Sequence, residues 1–219
     1  AFLKAKTGGG NYDDWGRRLL LAFQSKCNQQ GLYPDNWTDR QMRELPLIYA
    51  PKPAVALGLI MTYDYTRDKR WLDDAVSYLL ACAPELLSGR RESASVTLRW
   101  AFIDAALRAW RATGERRYLD SALQIGEAIP ATAPPRTQMA SAEADRINAL
   151  VALYRATRDK RWLDAARQPG AHALRVFVHS SGLIRGTAVV DRPDYYDAIQ
   201  GPGALALALY RLGEAGAVK

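Results

Sequence analysis

One thirteen-residue stretch occurs three times in this chain, and it limits what the rest can fold into. It reads YDYTRDKRWLDDA at 63–75, WRATGERRYLDSA at 110–122 and YRATRDKRWLDAA at 154–166. The aligned aromatics Trp71, Tyr118 and Trp162 stand 47 and then 44 residues apart. A period of roughly 40–47 residues is the length of a helix pair, so the chain reads as stacked helical hairpins.

Each copy has the physics of a tight corner. An apolar helix runs out at an aromatic and a Thr. An acidic residue (Asp68, Glu115 or Asp159) then stands where a second helix must begin. Asp at that place accepts a bond from an unpaired N–H, and any acid there meets the positive end of the helix dipole. Glu115 caps less well than Asp, so its contribution is mainly electrostatic. The aromatic and the Leu after it anchor the second helix on the first.

Between the corners, hydrophobic periodicity predicts eight helices. The first covers 12–27, started by Asn11 or Asp13, with Trp15, Leu19, Leu20 and Phe23 as its apolar stripe. A long polar connection follows, running to Pro46 and Pro53; such length within a compact domain marks a functional or locally folded loop. Nearly apolar helices at 54–66, 95–112, 142–157 and 204–212 alternate with amphipathic ones at 69–83, 117–129 and 161–174. A helix apolar all round is buried on all sides, and one with a polar face lies outside. The last apolar helix places Tyr210 as Tyr63, Trp110 and Tyr154 are placed. Before it, residues 177–191 read as two short strands about Ser180, Ser181 and Gly182, a small hairpin.

Composition narrows the classes. With 219 residues, 48% hydrophobic and 24% charged, the chain is long enough for one full core and is not of disordered type. The whole of 1–219 is read as a single domain, on its own or as a piece of a longer chain. No apolar run approaches the roughly 20 residues of a membrane-spanning helix. The amino end has neither an initiator Met nor a signal-peptide core, and reads as a processed end or an arbitrary boundary. A net charge of +7 and a pI near 9.5 favour polyanionic partners. No dense basic run and no nucleic-acid motif is present, so an acidic glycan is expected rather than nucleic acid. The two cysteines, Cys27 and Cys82, form no Cys–x–x–Cys pair, and a zinc site is not expected. They fall near the carboxyl ends of neighbouring outer helices, which leaves a disulfide or two buried thiols, the thiols being the commoner arrangement.

The Thr–x–Asp/Glu–x–Arg–Trp/Tyr–Leu–Asp–x–Ala corners and the closing Gly201, Pro202, Gly203, Ala204 and Leu205 start of the last helix resemble a known group. They are similar to the α/α-toroid families of carbohydrate-active proteins: unsaturated glucuronyl hydrolases, N-acylglucosamine 2-epimerases and toroidal polysaccharide lyases. The resemblance spans about 12–212 and implies an all-α fold of helical-hairpin repeats, with the small β-hairpin near the carboxyl end. Closed toroids use about six helix pairs and this chain has four, so the expected toroid is open or incomplete.

In such a fold the short corners close one mouth. The amino ends of the inner helices, electropositive and suited to anions, gather at the other with the long loops. Glycoside hydrolysis needs a proton donor and a second carboxylate across the bond. Asp145 with Asp197 is the candidate pair, and Glu143 the reserve. β-Elimination instead needs a base such as Tyr196 or Tyr195, with Arg99 or Gln200 to neutralise a uronate carboxylate. Trp37 and Trp100 are candidates to stack on sugar rings, and Arg40 and Arg146 to hold acidic groups. The competing explanation is structural: acids before helices cap them, and aromatics in helical repeats pack.

The two histidines, His172 and His179, form no metal-binding spacing, and the pair of histidines that the resembling epimerases use is not placed by the sequence. No metal and no cofactor is expected. The expected function is cleavage of an acidic poly- or oligosaccharide, by hydrolysis or β-elimination, in a secreted or periplasmic bacterial protein. The alternative is a non-catalytic glycan-binding or protein-interaction scaffold. Oligomeric state, substrate and linkage are not legible.

Overall fold

The computed structural model describes residues 12–33, 49, 51–87, 96–129, 139–188 and 201–217. Its helices are α1 (Tyr12–Gln24), α2 (Pro53–Thr66), α3 (Lys69–Leu87), α4 (Val96–Thr113), α5 (Arg116–Glu127), α6 (Ala140–Thr157), α7 (Lys160–Val176) and α8 (Pro202–Ala217). Among the described residues no helix is long and apolar enough to cross a membrane.

All three corners use one set of bonds. Thr66, Thr113 and Thr157 each donate Oγ1–H to the carbonyl four residues back, at 2.8 Å in every copy. The same oxygens accept from the backbone N–H of Asp68, Glu115 and Asp159. The residue between turns left-handed: Arg67 (φ 58°), Gly114 (φ 74°) and Arg158 (φ 61°). Each then donates its N–H to the carbonyl of the helix-ending aromatic, Tyr63, Trp110 or Tyr154. Asp68 and Asp159 accept from the N–H two residues on, at 3.0 Å. Glu115 makes no such cap and pairs with Arg117 at 2.7 Å, consistent with its longer side chain. Beyond each corner Trp71, Tyr118 and Trp162 are buried, with Arg17, Arg117 and Arg161 respectively over their rings. Burial of each ring contributes on the order of 2–3 kcal/mol.

The corners make antiparallel pairs α2–α3, α4–α5 and α6–α7. The inner helices pack side by side in the order α2, α4, α6, α8, with α3, α5 and α7 behind them. Among the described residues no substantial packing returns from α8 to α2, so the inner row is an open arc. Position in the arc decides burial. α6, in its interior, buries eleven residues over nearly its whole circumference. α2 and α8, at its ends, leave Met61 and Tyr65, and Leu207 and Tyr210, exposed. An apolar helix buried on all sides is therefore found only where neighbours flank it.

Other departures have local causes. α3 runs on through Pro84 because Leu86 is buried beyond it. α7 passes through Pro169 and Gly170, where Gly170 faces Leu212 of α8. α8 does not break after Tyr210, since Arg211, Leu212 and Gly213 supply none of the Thr–left-handed–acid signals. On α1 only Leu20 of the expected stripe is buried, while Trp15 and Leu19 are exposed and the Phe23 side chain lies outside the described residues. α1 is held to α3 by Arg17 Nη1 on Asp74 Oδ2 (2.5 Å) rather than by a broad apolar seam. The capping candidate Asn11 and the connection over 34–48 also lie outside the described residues, and the other candidate, Asp13, falls inside α1. Cys27 and Cys82 are not bonded to each other, and burial pushes the Cys82 thiol up to about 11.

The expected small β-hairpin is not formed as two regular strands among the described residues. Residues 178 and 184 make one antiparallel bridge about a turn in which Gly182 (φ 83°) donates to His179 O. The second arm then leaves its partner: Thr187 bridges Met139, and Ala140 N donates to Gly186 O at 3.0 Å. The otherwise unpaired first N–H of α6 takes that carbonyl, and so this segment is tied to the start of an inner helix.

Candidate functional site

The starts of α4 and α6 lie together, and the link between them is polar. Thr97 Oγ1 donates to Asp145 Oδ2 at 2.6 Å. Asp145 belongs to the least buried stripe of α6, with Ser141, Ala152 and Arg155, while the rest of the helix is packed. That spacing is one helical face, and it points into the concave side of the arc. Burial raises the Asp145 carboxyl above its ordinary value, and the Thr97 hydrogen bond partly opposes the shift.

Glu143 and Arg146, so close in sequence, face another way. Both are buried, at 3% and 2% exposure. Glu143 Oε1 lies 2.8 Å from His172 Nδ1 on α7, and Oε2 lies 3.6 Å from Arg146 Nη1. Their charges tie α6 to its own outer helix, and no sugar in the concave face reaches them as they stand. Burial pushes the Arg146 guanidinium down, with Glu143 opposing that, and Arg146 Nε has no hydrogen-bond partner.

Arg99 Nη1 donates to Ala128 O, where α5 ends, so this guanidinium serves the negative end of a helix. Trp100 is half-buried against the core. Gly201 (φ 85°) precedes α8 and lies against Ser141, so close that a Cβ there would stand 2.6 Å from Ser141 Cβ. The start of α8 is thereby brought to the start of α6. The candidates Trp37, Arg40, Tyr195, Tyr196, Asp197 and Gln200 lie outside the described residues.

Further polar links cross the concave face. Arg108 of α4 reaches Asp64 of α2 and its own Asp104, both at 3.2 Å. Arg211 of α8 donates to Asn148 of α6 at 3.0 Å. The face is lined by acid, amide and guanidinium groups, a surface that exchanges hydrogen bonds with hydroxyls. No group of three or more His, Cys, Asp or Glu side chains among the described residues is arranged to hold a metal.

Sequence reasoning gave His172 no role and missed Thr97, Arg108 and Arg211. For His172 a signal exists. Folding the α6–α7 hairpin about Arg158 and Asp159 brings residue 172 within a turn of residue 143. The other three are lateral contacts between hairpins, for which nothing local speaks.

No family model and no curated protein matches the chain. Solved structures similar to it include a sugar isomerase and a mannanase. The crystal structure of D-mannose isomerase superposes with a TM-score of 0.69, covering 94% of this chain and 66% of its own, at 14% identity. The GH76 α-mannanase BT2949 of Bacteroides thetaiotaomicron superposes with a TM-score of 0.54, over 93% and 63%, at 17% identity. The fold is an α/α toroid. This toroid spans just under two thirds of the length of either neighbour, and at such identity the likeness is one of fold. Within the toroid, Asp145 stands at the mouth where inner helices begin, and the corners lie at the opposite end.

Proposed function

We propose that this toroid is a carbohydrate-active protein that binds an acidic oligo- or polysaccharide along its concave face and cleaves it by proton transfer at Asp145. The observation that carries the reading is the Asp145 carboxyl: it lies on the open stripe of α6, is raised by burial, and is held by Thr97. A carboxyl raised in this way is suited to give a proton to a departing sugar oxygen. The two neighbours, a sugar isomerase and a mannanase by their names, support carbohydrate chemistry on this fold. The net charge of +7 supports an acidic substrate.

For hydrolysis Asp197 is the proposed second carboxylate, with a separation of about 5–9.5 Å required by either stereochemical course. For β-elimination Tyr196 or Tyr195 is the proposed base, with Gln200 beside the uronate carboxylate. A second reading, sugar isomerisation, is favoured by the likeness of fold to a structure named as a sugar isomerase.

Incubation with uronate-containing polysaccharides and with free aldoses separates these readings. Unsaturated-uronate absorbance signals β-elimination, reducing ends without it signal hydrolysis, and interconverted monosaccharides signal isomerisation. Binding with none of these signals a scaffold. Asp145→Asn is expected to lower turnover by about 100-fold or more while the fold is kept. Unchanged turnover in that variant removes Asp145 from the mechanism.

A further inference from the structure

A second cleft lies at the opposite end of the concave face, between the carboxyl ends of α2 and α4. It has a volume of about 400 Å³ and is lined by Tyr63, Asp64, Arg67, Arg108, Arg111 and Ala112. That volume is in the range of small-molecule sites. Eleven residues of α4 separate Thr97 from Arg108, about 16 Å along the helix axis, so the cleft is distinct from the mouth.

We propose that this cleft is a distal saccharide subsite that holds the carboxylate of an acidic sugar unit; the proposal rests on the carbohydrate reading above. Arg108 is committed to Asp64 and Asp104. Arg67 and Arg111 have no carboxylate paired with them among the described residues, and the Arg67 guanidinium lies over the Tyr63 ring at 5.8 Å. Two guanidiniums are thus available beside an aromatic ring and a fixed Asp–Arg pair. A carboxylate takes such a donor fork well, and the Asp64–Arg108 pair offers both an acceptor and donors to hydroxyls.

The charge balance selects the ligand. Two helix carboxyl ends converge here and carry partial negative charge, which offsets part of the charge of the Arg67 and Arg111 guanidiniums. A singly charged carboxylate on a hydroxylated body suits this balance better than a doubly charged phosphate. Arg67 also holds a left-handed backbone (φ 58°) at the place where the second corner uses Gly114. An L-residue is disfavoured there, so Arg67→Gly removes the guanidinium without straining the corner.

The test is calorimetric titration of the whole protein with a galacturonic-acid oligosaccharide and with a neutral mannose oligosaccharide of equal length. Arg67→Gly keeps the corner geometry and is expected to keep the melting temperature, while weakening acidic-oligosaccharide binding about tenfold; Arg111→Gln is expected to act alike. Arg158→Gly, the same change at a corner outside the cleft, is the control and leaves affinity unchanged. The neutral oligosaccharide is expected to bind at least tenfold more weakly. If wild type binds the acidic chain but Arg67→Gly and Arg111→Gln bind it equally well, the subsite is refuted while the carbohydrate reading stands. Equal affinity for the neutral chain overturns the acidic assignment, and no binding of either chain overturns both readings.

Discussion

His172 Nδ1 lies 2.8 Å from Glu143 Oε1, across the hairpin formed by α6 and α7. The contact joins an inner helix near its start to an outer helix near its end. It also gives buried Glu143 a second partner besides Arg146. Those three side chains form a polar hub behind the mouth.

Removal of Glu143 is therefore expected to cost far more than loss of one hydrogen bond. Glu143→Ala leaves the Arg146 guanidinium, at 2% exposure, without a counter-charge. Such uncompensated charges cost about 3–5 kcal/mol. Urea unfolding of Glu143→Ala should show that loss, and Glu143→Ala combined with Arg146→Met should recover a large part of it. A loss near 1 kcal/mol in the single variant would mean that Arg146 finds water instead.

Asp145 predicts a pH dependence of opposite sign to that of a salt-bridged carboxylate. Its folded-state value lies above the unfolded one because burial disfavours the charge. The folded state therefore holds the proton more tightly. The contribution to stability is full below the ordinary carboxylate value and is lost as pH rises through the raised one. Asp145→Asn should remove that decline. Unfolding free energy measured from pH 3 upward, for wild type against the variant, checks it; a wild-type curve that rises more steeply than the variant's over this interval contradicts the assignment.

Two left-handed positions should respond in opposite ways to substitution. Arg158 (φ 61°) sits where the second corner has Gly114, and Arg158→Gly is expected to change stability by about 1 kcal/mol or less, in the stabilising direction. Gly201 (φ 85°) faces Ser141, whose Cα would stand 2.8 Å from an added Cβ. Gly201→Ala should destabilise by roughly 2 kcal/mol or more, since backbone conformation and close approach both oppose it. Thermal unfolding of the two variants reads both outcomes.

Much of this molecule was legible in the amino-acid order alone. Thr157, Arg158, Asp159, Trp162 and their counterparts specify corners through bonds that reach at most four residues, and such bonds do not depend on the rest of the fold. Helix alternation and the count of four inner and four outer helices followed from hydrophobic period, which is a property of neighbours in sequence. Tertiary structure decided which way each side chain faces. Glu143 and Asp145 are two residues apart, and a step of about 200° around a helix sends one to α7 and the other to the groove. The sequence named both as candidates and had no means to separate them. Arg99 likewise reads as a cation at the mouth until the end of α5 is set beside it. Pairings such as Thr97 with Asp145, or Arg108 with Asp64, depend on how far one hairpin slides along the next. That offset is set by packing of whole helix faces, and no short stretch of sequence encodes it.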